Sequence, residues 1–273
     1  MSELGVVGHV TRDLLLDGER VGGAAAYGAL AAAALGVDVV LVTSAPDDPG
    51  LLGALSHPRI KLVRQPSALA TTFELRYAGP RRRLWVRAQA EPLSLGTLTA
   101  TLAPVLYVGP VVGEVDPEHL RKLAAVRLVL GVQGWLRTLD AEGEVISAEP
   151  TALWRLPEHA DLVLSEEDHE AADALGRQLS SHTRSVLVTR GARGVTCFSG
   201  GNAEHIAAPA ALCADPTGAG DVFGVVYALR LHRGDDRATA IARAQLAAAH
   251  STEGPGVGRV ADVRALVMGD AEP

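Results

Sequence analysis

Basic residues are in the minority: Lys and Arg number 25 against 32 Asp and Glu, a net charge of −7. Such a chain has no positive field to gather phosphate backbones, which excludes a nucleic-acid partner. Aromatic residues make up only 4%, so stacking platforms for single strands are scarce too. The two cysteines, Cys197 and Cys213, make no disulfide framework. No two of the nine histidines stand three or four apart, so helical zinc pairs are absent. No basic stretch followed by an apolar one opens the sequence, and no signal peptide is expected. The most apolar windows, such as 24–42, are interrupted by Gly36 and Asp38 and are too short to span a membrane. The expectation is a reduced, cytoplasmic protein with no membrane partner.

What is present is apolar and regular. Hydrophobic residues are 48% of 273, enough for one sizeable α/β core, and no linker or repeat divides the chain. Runs rich in β-branched residues recur at 4–9, 38–43, 105–109, 127–133, 161–165, 185–190 and 194–198. Most are apolar on both faces, as strands between two helix layers must be. Helical stretches lie between them at 23–35, 117–125, 167–179, 219–233 and 236–250. This alternation predicts a doubly wound, mostly parallel sheet with helices on both faces. Residues 71–89 break the rhythm: two β-like stretches flank Ala78-Gly79-Pro80. Residues 10–21, with a turn at Asp17-Gly18, are a second candidate. Together they predict a small antiparallel flap inserted in a single domain spanning 1–273. A decorated edge of the core is the other reading. Residues 269–273 read as a frayed tail.

The most informative segment is Asp215-Pro216-Thr217-Gly218-Ala219-Gly220-Asp221, followed by the apolar VFGVVYALRL. Glycines at a helix start let the backbone approach a ligand, and the exposed N–H groups with the helix dipole form an anion site. A phosphoryl group in transfer is a natural anion for such a site. Asp221 falls in the first helical turn, where a carboxylate can take a proton from an attacking hydroxyl. Read purely as structure, the glycines make a turn and Asp221 favours a helix N-terminus. The full seven residues, late in an α/β chain and before a helix, favour the chemical reading.

This segment resembles the C-terminal signature of the ribokinase-like, or PfkB, family of sugar and nucleoside kinases. Gly22-Gly23, an alanine-rich helix and Leu35-Gly36 are similar to the family's first signature. The strand-like 185–189 followed by Arg190-Gly191-Ala192-Arg193-Gly194 resembles its nucleotide-side turn. Gly8-His9-Val10-Thr11-Arg12-Asp13, the stretch Val112–Glu118 and Gln133-Gly134-Trp135-Leu136-Arg137 look closest to inositol kinases within it.

The resemblance implies a ribokinase-like fold with a lid, and ATP-dependent phosphorylation of a sugar or polyol, an inositol among the candidates. It implies Asp221 as base, with Gly218, Ala219 and Gly220 as the anion hole. Asp13, Gly22, Gly23 and Tyr27 would bind the acceptor. Thr189, Gly191, Gly194, Thr217, Gly218 and Gly220 would hold ATP. Asp168 would support Mg²⁺ through water. Asp215, near Ser251, Gly254 and Gly256, would join a monovalent cation such as K⁺. A monomer or homodimer is expected.

The sequence departs from the family pattern in places. Tyr27 replaces an Asn that contacts substrate, Ser165 and Asp168 replace the ends of Asn-x-x-Glu, and Gly131 replaces an Asp. Arg137 reads as a phosphate holder or a surface residue, and Arg81-Arg82-Arg83 as a solvated run or a lid cation. Cys213 reads as a small buried residue without a His partner. Alternatives remain open: a nucleoside kinase with Tyr27 stacked on a base, or a non-catalytic sugar- or nucleotide-binding regulator of the same fold. Gly5-x-x-Gly8 is a poor match to the three-glycine fingerprint of a dinucleotide-binding oxidoreductase.

Overall fold

The computed structural model describes residues 2–78, 81–96, 103–123, 125, 127–254 and 259, without the side chains of 77, 78, 81 and 82. The expected turn at Gly79-Pro80, Gly256 and the tail 269–273 lie outside the described residues.

In chain order the elements begin with β1 (Leu4–Val7), β2 (Thr11–Leu15), β3 (Gly18–Gly22), α1 (Ala24–Ala34), β4 (Val39–Ala45), α2 (Pro49–Leu52) and β5 (Ile60–Pro66). There follow β6 (Thr71–Ala78), β7 (Arg81–Ala88), β8 (Val105–Val108), α3 (Pro117–Leu120), β9 (Arg127–Gly131), β10 (Arg137–Leu139), β11 (Val145–Ser147) and β12 (Asp161–Ser165). The chain closes with α4 (Ala172–Leu179), β13 (Ser185–Thr189), β14 (Val195–Ser199), β15 (Asn202–Ile206), α5 (Ala219–His232) and α6 (Arg237–Ser251).

Nine strands form the main sheet in the order β15-β14-β13-β12-β9-β8-β1-β4-β5. From β13 through β5 every neighbouring pair is parallel, and β14 and β15 add an antiparallel edge. The central strands are buried on both faces, which is why their sequences show apolar runs and no alternation. Helices α1, α5 and α6 pack on one face, and the other is covered by α4 and by apolar residues between 93 and 156. The alanine content of α1 has a packing reason. A Cβ added at Gly28 would sit 3.0 Å from Val225 of α5, so small residues let the two helices lie close.

A second sheet has the order β3-β2-β6-β7. The hairpins β2–β3 and β6–β7 are antiparallel, as expected, but a parallel pair between β2 and β6 joins them. Both strands start from the same place. Thr11 pairs with Thr71, where each hairpin leaves the core.

Two expected helices are shorter than their patterns. The 117–125 stretch is capped by Asp116, whose side chain accepts from Glu118 N, but it ends at Leu120. The buried Leu120 and Leu123 are then joined by a tight turn that delivers the chain to β9. The 167–179 stretch begins only at Ala172, because Asp168 folds back on Ser165: its Oδ2 accepts from Ser165 N at 3.0 Å. A short polar side chain competing for local backbone groups delays the helix here.

Candidate active site

In open parallel sheets, ligands lie outside the carboxyl ends of the strands. Gly8 and His9 follow β1, Gly109 follows β8, and Gln133 follows β9. Asp168 follows β12, and the turn 190–194 follows β13.

The 215–221 segment is organised by its first aspartate. Asp215 Oδ1 accepts from Thr217 N at 3.0 Å, and the N–H groups of Ala214 and Asp215 both donate to the Thr252 carbonyl at the end of α6. Gly218 is the N-cap of α5 with φ +77°, a left-handed conformation that favours glycine. A side chain there would run into the Tyr27 ring. Of the three expected anion-hole amides, that of Ala219 is turned onto the Pro216 carbonyl at 3.2 Å.

Asp221 stands in the first turn of α5, half-buried, and Tyr107 Oη donates to its Oδ1 at 2.7 Å. Burial pushes its carboxyl up to about 6, against the Tyr107 hydrogen bond and the Arg137 charge, which favour the anion; Asp168 adds a further push upward. Arg137 Nη1 donates to the Val111 carbonyl at 3.0 Å, so it is tied to the core close to Asp221 and is no freely solvated arginine.

On the side of the small sheet, Thr11 Oγ1 donates to Asp13 Oδ1 at 2.8 Å. Gly22, opposite Thr11 in the hairpin, is required by this pair: a Cβ there would collide with the Asp13 carboxylate and come 2.9 Å from Thr11 Oγ1. Gly23 caps α1 with φ +89°. A cavity of about 370 Å³ is lined by Asp13, Asp17, Arg20, Tyr27, Asp215 and Thr217, with Leu15, Val21 and Leu75 of the small sheet also facing it. Arg20 donates to Asp17 at 2.6 Å and lies 4.0 Å from Asp215 Oδ2. Burial and the charges of Asp215, Asp13 and Asp221 hold the Tyr27 phenol well above its ordinary value. Tyr27 is 2% exposed.

The structure therefore brings Asp13, Gly22, Tyr27, Asp215, Thr217 and Gly218 into one neighbourhood, with Asp221 close enough for its charge to be felt at Tyr27. Asp168 is held by two bonds, from Gln133 Nε2 at 2.8 Å and from Ser165 N. Among the described residues no group of three or more His, Cys, Asp or Glu could hold a metal directly. Asp168, with both oxygens already engaged, suits an outer-sphere contact to a hydrated Mg²⁺. Thr189, Gly191 and Gly194 form a separate turn, joined to the Asp168 turn through Glu166: its N–H donates to Thr189 O and its carboxylate pairs with Arg193. Gly194 is explained by packing alone, since a Cβ there would strike the Ile206 carbonyl and lie 2.9 Å from Ala208 N.

Cys213 is exposed, and the buried cysteine is Cys197. The side chains of Arg81 and Arg82 lie outside the described residues, and Arg83 is committed to Glu144 with its guanidinium over Trp85. Glu114, unremarked by charge pattern, is 1% exposed and accepts from the amides of His9, Val111 and Val112, tying the loops after β1 and β8 together. Tyr107 was invisible as a site residue. On the sequence it is one more apolar position of a buried strand.

A doubly wound sheet, a small sheet over a carboxylate-lined cavity, and an aspartate at a glycine-capped helix start define the ribokinase-like class. A family model described as pfkB family carbohydrate kinase matches residues 17–263, and the chain belongs to that family. It is 31% identical over 246 residues to inositol 3-kinase of Oryza sativa subsp. japonica, covering 80% of this chain and 60% of that relative. The chain thus matches less than two thirds of that protein's length. It superposes on a pyrophosphate-dependent kinase of the ribokinase family in its sulfate complex with a TM-score of 0.82 and 20% identity, over 96% of this chain and 99% of the other. A pyrophosphate-dependent kinase of the same family, with a pyrophosphate analog and myo-inositol, gives 0.80 and 20%, over 96% and 99%. No described helix is long and apolar enough to cross a membrane.

Proposed function

We propose that the chain transfers the γ-phosphoryl group of ATP to a hydroxyl of a neutral polyol of the inositol class. The observation that carries the reading is Asp221, raised to about 6 and held in the first turn of α5, beside a cavity lined by carboxylates. A base tuned this way is ionised at neutral pH yet strong enough to accept a proton. Asp13 would accept hydrogen bonds from acceptor hydroxyls. As the acceptor oxygen bonds to phosphorus, its proton passes to Asp221 and the bond to the ADP oxygen breaks. The amides of Gly218 and Gly220 and the α5 dipole would stabilise the charge on the transferring group. Bound Mg²⁺ would neutralise donor phosphate oxygens, with Asp168 meeting its water shell. Arg20 already supplies positive charge next to Asp215, so a monovalent cation there would compete with it.

Among the lining residues three carboxylates face a single guanidinium, which suits a hydroxyl-rich, uncharged acceptor. The nucleoside alternative loses its stacking surface, because the Tyr27 ring is packed against Gly218 and 2% exposed. The test is a phosphoryl-transfer screen of inositols, pentoses, hexoses and nucleosides, with ATP or pyrophosphate as donor, with Mg²⁺, and with or without K⁺. Phosphorylation of an inositol by ATP is expected. Turnover confined to nucleosides would overturn the acceptor, and turnover confined to pyrophosphate would overturn the donor.

A further inference from the structure

Tyr107 is 1% exposed in the middle of the main sheet, and its ring lies in a slot cut by three glycines. From β9, a Cβ at Gly131 would come 2.6 Å from the phenol oxygen. After β8, one at Gly109 would come 3.1 Å from Cε1 and 3.3 Å from the oxygen. From α5, one at Gly224 would collide with Cε2 and lie 3.2 Å from Cζ. The slot ends at Asp221, whose Oδ1 accepts the phenol hydrogen at 2.7 Å. The Tyr107 hydroxyl occupies the space that a side chain at Gly131 would need, so glycine stands there. A buried tyrosine hydroxyl needs an acceptor, and a backbone carbonyl would serve any packing role. Here the acceptor is the one carboxylate at the head of α5.

We propose that Tyr107 is a positioning residue for the phosphoryl-transfer base. Its hydroxyl fixes the Asp221 carboxylate through Oδ1, leaves Oδ2 to take the acceptor proton, and holds the carboxylate in its charged form. The inference rests on the reading of Asp221 as the base. The groups facing Asp221 are Tyr107 from β8, Arg137 from β10, Asp168 from the turn after β12, and Tyr27 from α1. Arg137 and Tyr107 favour the anion, while burial and Asp168 oppose it. The phenol, buried beside that anion, is itself raised well above its ordinary value and stays a donor throughout the working range.

The test is the pH dependence of kcat/KM in Tyr107→Phe, which keeps the ring and fills the slot. Loss of the hydrogen bond should move the acidic limb upward by about one pH unit relative to the parent, an approximately tenfold loss below the limb. Recovery is expected at high pH. A limb that stays in place, whether the rate is unchanged or uniformly lower, would reduce Tyr107 to a packing residue and overturn the inference. Should Tyr107→Phe not fold, Gly131→Ala, which presses on the phenol oxygen, carries the same readout. Asp221→Asn, assayed alongside, separates the two levels. An active Asp221→Asn overturns the base and the inference with it. An inactive one with an unmoved Tyr107→Phe limb overturns the inference alone.

Discussion

The Tyr27 ring fills the space that any side chain at Gly218 would need. The contact ties the first helix of the fold to the N-cap of α5, beside the cavity that Tyr27 and Thr217 line.

Gly218→Ala should therefore fail twice over, by forcing a left-handed φ of +77° on alanine and by displacing Tyr27. A stability loss of about 1–3 kcal/mol is expected from the strain and overpacking. Activity should fall by about 10² or more, because an oxyanion-type donor is displaced. Urea unfolding and kcat measured on the same preparation check both. Parent-like values would show that the tight contact does not govern the site.

Asp221 also makes a prediction for stability. Its folded-state value is raised from 3.8 to about 6, mainly by burial, so the charged form is disfavoured in the fold. The cost is absent below the unfolded value, grows through the window between the two, and is complete above about pH 6. Asp221→Asn should thus stabilise the protein by on the order of 1–3 kcal/mol at pH 8 and by little at pH 3.5. Thermal unfolding across this range checks it; a gain that grew toward acid would reverse the sign and contradict the burial argument.

Asp13 lies on the hairpin side of the cavity, away from the turn 190–194. Asp13→Ala should raise the acceptor KM about 10–100-fold, the worth of hydrogen bonds to a charged group, with little change in the KM for ATP. An effect confined to ATP would exchange the two sites.

His9 pins the root of the β6–β7 hairpin. Because a carbonyl only accepts, His9 Nε2 donates to the Glu91 carbonyl at 3.1 Å. Nδ1 is then the acceptor for Thr71 Oγ1 at 2.7 Å, and that hydroxyl accepts from Ala90 N at 3.0 Å. In the parent, amides of β6 and β7 should exchange quickly and slow when acceptor and a non-hydrolysable ATP analogue bind together, as closure excludes water. His9→Leu should speed exchange of these strands about tenfold or more by leaving buried polar groups unpaired. Strong protection equal in all states would make the hairpin fixed scaffold.

The parallel core was legible because two-sided burial writes itself as apolar runs such as LGVV and VLYV. Polar or alternating strands were not: β15 reads NAEHI and is exposed along most of its length, and β5 mixes Lys61, Arg64 and Gln65 among its apolar residues. The turn and helix start at 215–221 were legible because consecutive residues make them. The Tyr107 slot was not, because Gly109, Gly131 and Gly224 are distant in sequence and meet only when β8, β9 and α5 pack. Glu114 escaped for the same reason, since two of its partners look like ordinary loop valines and the third lies 105 positions away.

The most direct test of the account is phosphoryl transfer by Asp221→Asn, measured in single turnover with labelled ATP and an inositol, together with ATP affinity. The amide keeps the shape and cannot take the proton. A loss of about 10²–10⁴ in the transfer rate with ATP affinity nearly unchanged is expected. Transfer at the parent rate would show that Asp221 is not the base and would contradict the mechanism.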